Sequence, residues 1–206
     1  MVTWQLVSRG ISNERVLEAM NKVPRHEFVP ESERERAYAD QALPIGHEQT
    51  ISQPFIVAFM TQAVDPQPGQ RVLEVGTGSG YQAAVLAELA GEVYTIELIP
   101  DLAKQAGALL ERLGYRNIHV RTGDGYLGWP KAAPFDSIVV TWGAEKVPEP
   151  LFEQLKPGGT MVIPLGQIPN QSLRLIKKDQ NDQQSSQELL PVQFVPLRRA
   201  HEEKPK

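Results

Sequence analysis

Residues 72–80 read Val-Leu-Glu-Val-Gly-Thr-Gly-Ser-Gly, VLEVGTGSG, a short apolar run that stops abruptly in alternating glycines. Four mostly apolar residues bounded by such a turn fit a buried strand better than a helix. The stretch that follows, Tyr81 to Leu89, carries apolar residues at helical spacing. Strand, glycine turn, helix is the opening of a crossover unit, in which glycines let the backbone approach a ligand and the next helix points its N–H groups at negative charge. A glycine turn by itself is equally a plain turn. The dinucleotide fingerprint asks for a third glycine where Tyr81 stands, which disfavours a dinucleotide oxidoreductase.

Outward from this stretch the alternation continues. Val93 to Leu98 reads as a strand and Asp101 to Leu113 as a helix opened by Pro100 and closed by Gly114. Ile118 to Thr122, Ser137 to Thr141 and Thr160 to Ile163 read as three more strands, with a helix from Pro150 to Leu155. Alternating strands and helices predict a mostly parallel, doubly wound sheet of the Rossmann-like class. Ser172 to Lys177 and Leu189 to Val195 lack a helix between them and predict an antiparallel hairpin. Lys178 to Gln187 is polar and reads as an exposed loop, and His201 to Lys206 as a frayed end. Toward the N-terminus, Ser12 is positioned to cap a helix over Asn13 to Asn21, Pro24 ends it, and Glu31 to Tyr38 forms a short charged helix. With 206 residues and 41% hydrophobic content, one domain is expected, a helical extension over 1–50 and the core with its C-terminal strands over 51–206.

In such a sheet, ligands sit beyond the carboxyl ends of the strands where strand order reverses. Two acidic positions fall there. Glu97 ends its strand and can accept from both hydroxyls of a ribose. In Gly123-Asp124-Gly125, Asp124 can accept from an adenine amino group while Gly125 admits the ring; a tight turn is the alternative. A further segment, EQTISQPFI over 48–56, starts a helix. Ser52 can cap it, with Pro54 suited to its first turn, or the same helix end can hold a carboxylate.

Composition narrows the classes. There are no cysteines, and His26, His47, His119 and His201 are scattered, so no metal site is expected. No apolar run of membrane-spanning length and no signal-peptide pattern stands out, which predicts a soluble, cytoplasmic protein with no membrane partner. A net charge of −4 argues against nucleic acid.

The runs VLEVGTGSGYQAAVLAELAGEVYTIEL, GDGYLGWP, PFDSIVVT and LKPGGTMVIPLG resemble class I S-adenosylmethionine-dependent methyltransferases. VPRHEFVP, YADQALPIG and TISQP narrow the resemblance to the bacterial protein-L-isoaspartate O-methyltransferase family, from about Val16 to Leu197, with TISQP the most specific piece. The resemblance implies S-adenosylmethionine as cofactor, and damaged proteins or peptides containing L-isoaspartate as substrates, in a monomer. It implies cofactor contacts at Thr50, Ile51, Ser52, Glu74, Gly76, Gly78, Ser79, Gly80, Glu97, Asp124 and Gly125, with Ser52 also contacting the substrate carboxylate. The chain departs from the family where alanines and prolines are expected after the fourth strand and Thr141-Trp142-Gly143-Ala144-Glu145 stands instead. Trp142 can narrow the substrate path and Glu145 can repel a carboxylate, or both can face solvent or pack on their own loop. Two other functions follow if the resemblance misleads: a methyltransferase acting on another acceptor, or a cofactor-binding module without catalysis.

Overall fold

A computed structural model describes residues 1–196. Its N-terminal part begins with two short helical turns, then helix α1 (Glu14–Lys22), which buries Val16, Ala19 and Met20. The cap of α1 is Asn13, not Ser12: Asn13 has the extended backbone of a cap, and its side chain accepts from Val16 N. The backbone N–H groups of Ser12 and Asn13 both donate to Gln62 Oε1, which ties the helix start to a distant element. Two 3₁₀ turns follow, Arg25–Phe28 and Glu31–Arg36, the second shorter than the expected charged helix.

The expected helical extension to residue 50 is interrupted by a two-stranded antiparallel hairpin, β1 (Leu43–Gly46) and β2 (Gln49–Ile51). Its loop residues His47 and Glu48 both have positive φ, 52° and 59°. This geometry matches the twist of the strands and is ordinarily signalled by Asn-Gly or Asp-Gly, so a His-Glu loop hides it.

Helix α2 (Pro54–Val64) leads into the main sheet, whose elements alternate as expected: β3 (Arg71–Val75), α3 (Tyr81–Ala87), β4 (Glu92–Glu97), α4 (Pro100–Arg112), β5 (Ile118–Thr122), β6 (Phe135–Val140), α5 (Glu149–Glu153), β7 (Leu155–Leu165), β8 (Gln171–Lys178) and β9 (Gln184–Val192). The sheet order is β5-β4-β3-β6-β7-β8-β9. The first five strands in that order are parallel, while β8 and β9 are antiparallel, in agreement with the Rossmann-like class and its C-terminal hairpin. Successive side chains of β3 serve opposite faces. Leu73 and Val75 join Ile96, Ile138 and Val140 in one apolar cluster beside α5, while Val72 joins Val93, Met60 and Leu86 in the cluster under α2 and α3. The N-terminal residues Leu6, Ile11, Val16 and Phe28 pack with Tyr81, Val85 and Leu110, so the extension covers α3 and α4.

The polar run differs from expectation. Only residues 179–183 form the turn, and Gln184–Gln187 belong to β9. β9 is the outermost strand, and residues 184–188 are exposed. A strand solvated on both faces needs no apolar alternation, so periodicity is silent there. β7 and α5 also shift their boundaries from the expected ones, and His201 to Lys206 lie outside the described residues.

Leu73 has no exposed surface in the central strand. Leu73→Ala should cost about 2–5 kcal/mol from lost burial and the cavity left behind. Urea unfolding monitored by circular dichroism measures it, and a loss below about 1 kcal/mol would contradict the packing described.

Candidate active site

β3 is paired on one edge with β4 and on the other with β6, so the chain leaves the strand at the point where strand order reverses. Gly76, Gly78 and Gly80 have φ of 101°, 53° and 88°, values that side chains with a Cβ rarely adopt. A Cβ at Gly76 would also lie 2.2 Å from Thr141 Oγ1. That hydroxyl, at the end of β6, contacts the carbonyls of Gly76 at 2.8 Å and Val75 at 3.0 Å. It straps the loop to the neighbouring strand, a role the sequence did not disclose.

Glu97 stands at the end of β4 and is only 7% exposed. Its Oε2 accepts from Gly78 N at 2.8 Å and its Oε1 from Ile99 N at 3.0 Å, so the carboxylate holds the glycine loop. Each carboxylate oxygen keeps further acceptor capacity. Beneath the loop, Glu74 has no exposed surface. Its Oε2 is bonded to the Thr95 hydroxyl and its Oε1 has no partner. Burial pushes this carboxyl up to about 8, opposed by the Thr95 hydrogen bond and reinforced by the nearby Glu97 charge.

These groups border a cavity of about 610 Å³. Gly76, Gly78, Ser79, Glu74 and Glu97 line it on the sheet side, and Thr50, Ile51 and Ser52 on the side of α2. Gly125 also lines it, and a Cβ there would fall 2.3 Å from Val75 Cγ1. Two expected cofactor residues are not on the wall. Gly80 is the residue before α3, pressed against Leu110 and Ala106, where it serves the turn. Asp124 accepts from Tyr126 N through Oδ1 and caps the 3₁₀ turn Gly125–Leu127.

The TISQP segment corrects the capping expectation. α2 starts at Pro54 without a cap from the side chain before it. Its first-turn N–H, on Phe55, donates instead to Asp40 Oδ1 at 2.9 Å. The helix start thus already holds a carboxylate, and it is the protein's own. The Ser52 hydroxyl has no hydrogen-bond partner among the described residues, while the Ser52 carbonyl accepts from Arg25 Nη2 at 2.7 Å. Arg25 is fully buried, bonds the Ala37 carbonyl through Nε, and lies 4.7 Å from the centre of the Tyr81 ring. VPRHEFVP contributes this anchor, and nothing in its local pattern reveals which backbone it grips.

In the departing segment, Trp142 is 8% exposed and lines the cavity. Glu145 does not: it is exposed, and its Oε1 accepts from Gln167 Nε2 at 2.7 Å. Of the two alternatives for Glu145, the structure shows the one in which it faces solvent, away from the cavity, while Trp142 takes the other and lies on the cavity wall.

An open, mostly parallel α/β sheet with a glycine loop after its central strand, a carboxylate ending the next strand and a cavity between them defines a Rossmann-like nucleotide-cofactor enzyme. The chain belongs to the protein-L-isoaspartate(D-aspartate) O-methyltransferase family, whose model matches residues 1–202. It is 59% identical over 200 residues to the protein-L-isoaspartate O-methyltransferase of Opitutus terrae, covering 97% of this chain and 85% of the relative. The enzyme of the same name from Gloeobacter violaceus is 54% identical over 200 residues, with 97% of each chain covered. A solved protein-L-isoaspartate O-methyltransferase superposes with a TM-score of 0.86 and 33% identity over 95% of this chain, which spans 64% of that protein's length. A Plasmodium falciparum member, in complex with S-adenosyl-L-homocysteine, superposes with a TM-score of 0.82 and 26% identity over 93% of this chain and 94% of its own.

The Glu74 carboxyl gives the fold a measurable pH dependence. In the unfolded chain it ionises around its ordinary value of 4.5, but in the folded protein it keeps its proton up to about 8. Between those values the folded state binds more protons, so stability falls as pH rises through the window and levels off above it. Glu74→Gln has nothing to ionise. Its stability relative to the parent should therefore improve steadily from pH 5 to pH 8 in urea titrations, and a pH-independent difference would place the carboxyl back in the ordinary range.

Proposed function

We propose that this chain transfers a methyl group from S-adenosylmethionine to the free α-carboxylate of L-isoaspartyl residues in damaged proteins and peptides. Family membership supports the reaction, and the observation that carries it is the meeting of the TISQP segment with the glycine loop across one cavity. The residues fit the cofactor. Gly76 and Gly125 bring bare backbone to the cavity wall at positions where a Cβ would collide with Thr141 Oγ1 and Val75 Cγ1, and the orphaned Glu74 Oε1 beside them is a buried polar atom with no partner in the protein. Gly76, Gly78, Ser79 and Gly125 would hold it by close backbone approach and Glu97 by the acceptor capacity its carboxylate retains; Thr50, Ile51 and Ser52 would cover it. In this reading Gly80 and Asp124 act through the turns they shape. When bound, S-adenosylmethionine supplies an activated methyl group on a sulfonium.

The protein's task is then placement. A carboxylic acid with a pKa of about 4 is already ionised at neutral pH, so no base has to remove a proton. The Ser52 hydroxyl is available to donate to that carboxylate and orient it, and the Arg25 bond to the Ser52 carbonyl keeps the segment in register. Phe55, Ile56 and Trp142 supply apolar wall that excludes water, which favours a reaction limited by orientation. We further propose that the chain works as a monomeric, single-domain cytoplasmic enzyme without nucleic-acid or membrane partners, consistent with its net charge of −4. Trp142 on the wall favours the second reading, a methyltransferase of this fold with another acceptor, only if isoaspartyl peptide proves too large for the path.

Purified protein incubated with labelled S-adenosylmethionine should label an isoaspartyl peptide and leave its normal aspartyl counterpart nearly unlabelled. Equal labelling of both would shift the assignment to the second reading. Ser52→Ala should lower turnover on isoaspartyl peptide at least about tenfold, the effect of one lost charge-assisted hydrogen bond. Because Asp40 and not Ser52 caps α2, the same change should alter stability by less than about 0.5 kcal/mol. Parental turnover in Ser52→Ala would remove Ser52 from the acceptor site.

A further inference from the structure

The cavity wall contains a charged residue that neither the motifs nor the glycine loop accounts for. Arg9, at the end of the N-terminal 3₁₀ turn Val7–Arg9, lines the same cavity as Ser52. It is the sole lysine or arginine among the described residues on that wall; the carboxyl groups there belong to Glu74 and Glu97. An anionic acceptor therefore approaches a mouth with a single fixed positive charge. The Arg9 guanidinium lies 3.5 Å from the centre of the Phe55 ring, in the first turn of α2, and pairs with Asp40 Oδ2.

The chemistry of that pair matters. The Arg9 side chain is 45% exposed and the Asp40 side chain 19%, so solvent screens the pair from the arginine side and exchanging one carboxylate for another on that guanidinium costs little. Asp40 does not need Arg9, because its other oxygen is held by the Phe55 N–H at the positive end of α2. Arg9 stays oriented without Asp40, because its planar group rests on the Phe55 ring. The two partners can thus separate with each still supported.

We propose that Arg9 is the residue that receives the carboxylate of the incoming acceptor, exchanging Asp40 for it, with Asp40 acting as a built-in competitor for the same guanidinium. This rests on the isoaspartyl reading above. The arrangement draws an anion toward a cavity with no other cationic side chain among the described residues and lets it go once methylation has removed its charge: the ester product no longer competes with Asp40, and the Arg9–Asp40 pair re-forms.

The test is steady-state kinetics on isoaspartyl peptide at saturating S-adenosylmethionine, for the parent, Arg9→Gln, Arg9→Lys and Asp40→Asn. Binding of S-adenosylhomocysteine by calorimetry and thermal unfolding report the integrity of each variant. Arg9→Gln should raise KM about tenfold, the loss of one charge-assisted contact, with a smaller change in kcat, and should flatten the salt dependence of kcat/KM. Arg9→Lys should fall between it and the parent, keeping the charge and losing the planar fork. Asp40→Asn keeps an oxygen for the Phe55 N–H and removes the competing charge, so its KM should drop about two- to fivefold below the parent. The opposite signs carry the decision. If Arg9 and Asp40 merely brace each other, both variants raise KM, and that result overturns the proposal, as does an unchanged KM in Arg9→Gln. Should Arg9→Gln fail to fold, Asp40→Asn decides alone: a KM at or above the parental value overturns the exchange. If the parent itself does not methylate isoaspartyl peptide, the substrate reading fails first, and that outcome is distinct from a parent that turns over while its variants show no KM shift.

Discussion

β3 is hydrogen-bonded on both edges by parallel strands, and the rest of the molecule is arranged around that constraint. With β4 on one side and β6 on the other, the chain can leave β3 only upward, into the gap between their carboxyl ends. The loop that fills this gap has to pass under Thr141 and within reach of Glu97, and three positive-φ glycines make that path possible. The loop is therefore held from both neighbours: by a hydroxyl on its carbonyls and by a carboxylate on its N–H. The glycines let the loop pack against these neighbours, since a Cβ at Gly76 would fall on Thr141 Oγ1, and they present bare backbone to the cavity.

The other half of the site depends on a second set of anchors, none of them in the sheet. The TISQP segment is held by Arg25 at the Ser52 carbonyl and by Asp40 at the start of α2. Both come from the N-terminal segment, whose apolar residues pack on α3 and α4. The extension therefore does more than cover the sheet: it sets the height of Ser52 above the glycine loop. It leaves the Ser52 hydroxyl unengaged among the described residues, because the capping role that serine could have filled is taken by Asp40. Freed from structural duty, the hydroxyl is available for an acceptor.

Charge at the site is distributed with the same economy. Glu97, at the end of β4, accepts two backbone N–H bonds, whereas Glu74, inside the neighbouring strand β3, is fully buried with one hydroxyl partner, and burial raises its carboxyl to about 8. One carboxyl is a structural clasp and the other a neutral group beneath the cavity. The Glu74 shift comes from desolvation, which its single hydroxyl partner only partly offsets.

The sequence by itself determined the alternating strands and helices, the parallel sheet and the glycine loop. These depend on hydrophobic period and on backbone conformations that few residues adopt, and both are local properties. It also located Glu97 and Ser52, because strand ends and helix starts can be read within a few residues. Only the tertiary structure decided what those residues touch. Asp40 caps a helix 15 positions away, Arg25 grips a carbonyl 27 positions away and Thr141 straps a loop 65 positions away. No local pattern encodes such partners, and a side chain near a helix start looks the same whether it caps the helix or leaves that task to another. The β1–β2 hairpin and the first residues of β9 were hidden for related reasons: a His-Glu turn lacks the usual glycine, and an edge strand in water has no apolar face to display. Chemistry confined to a short stretch was legible; chemistry that required two distant stretches to meet had to wait for the fold that brings them together.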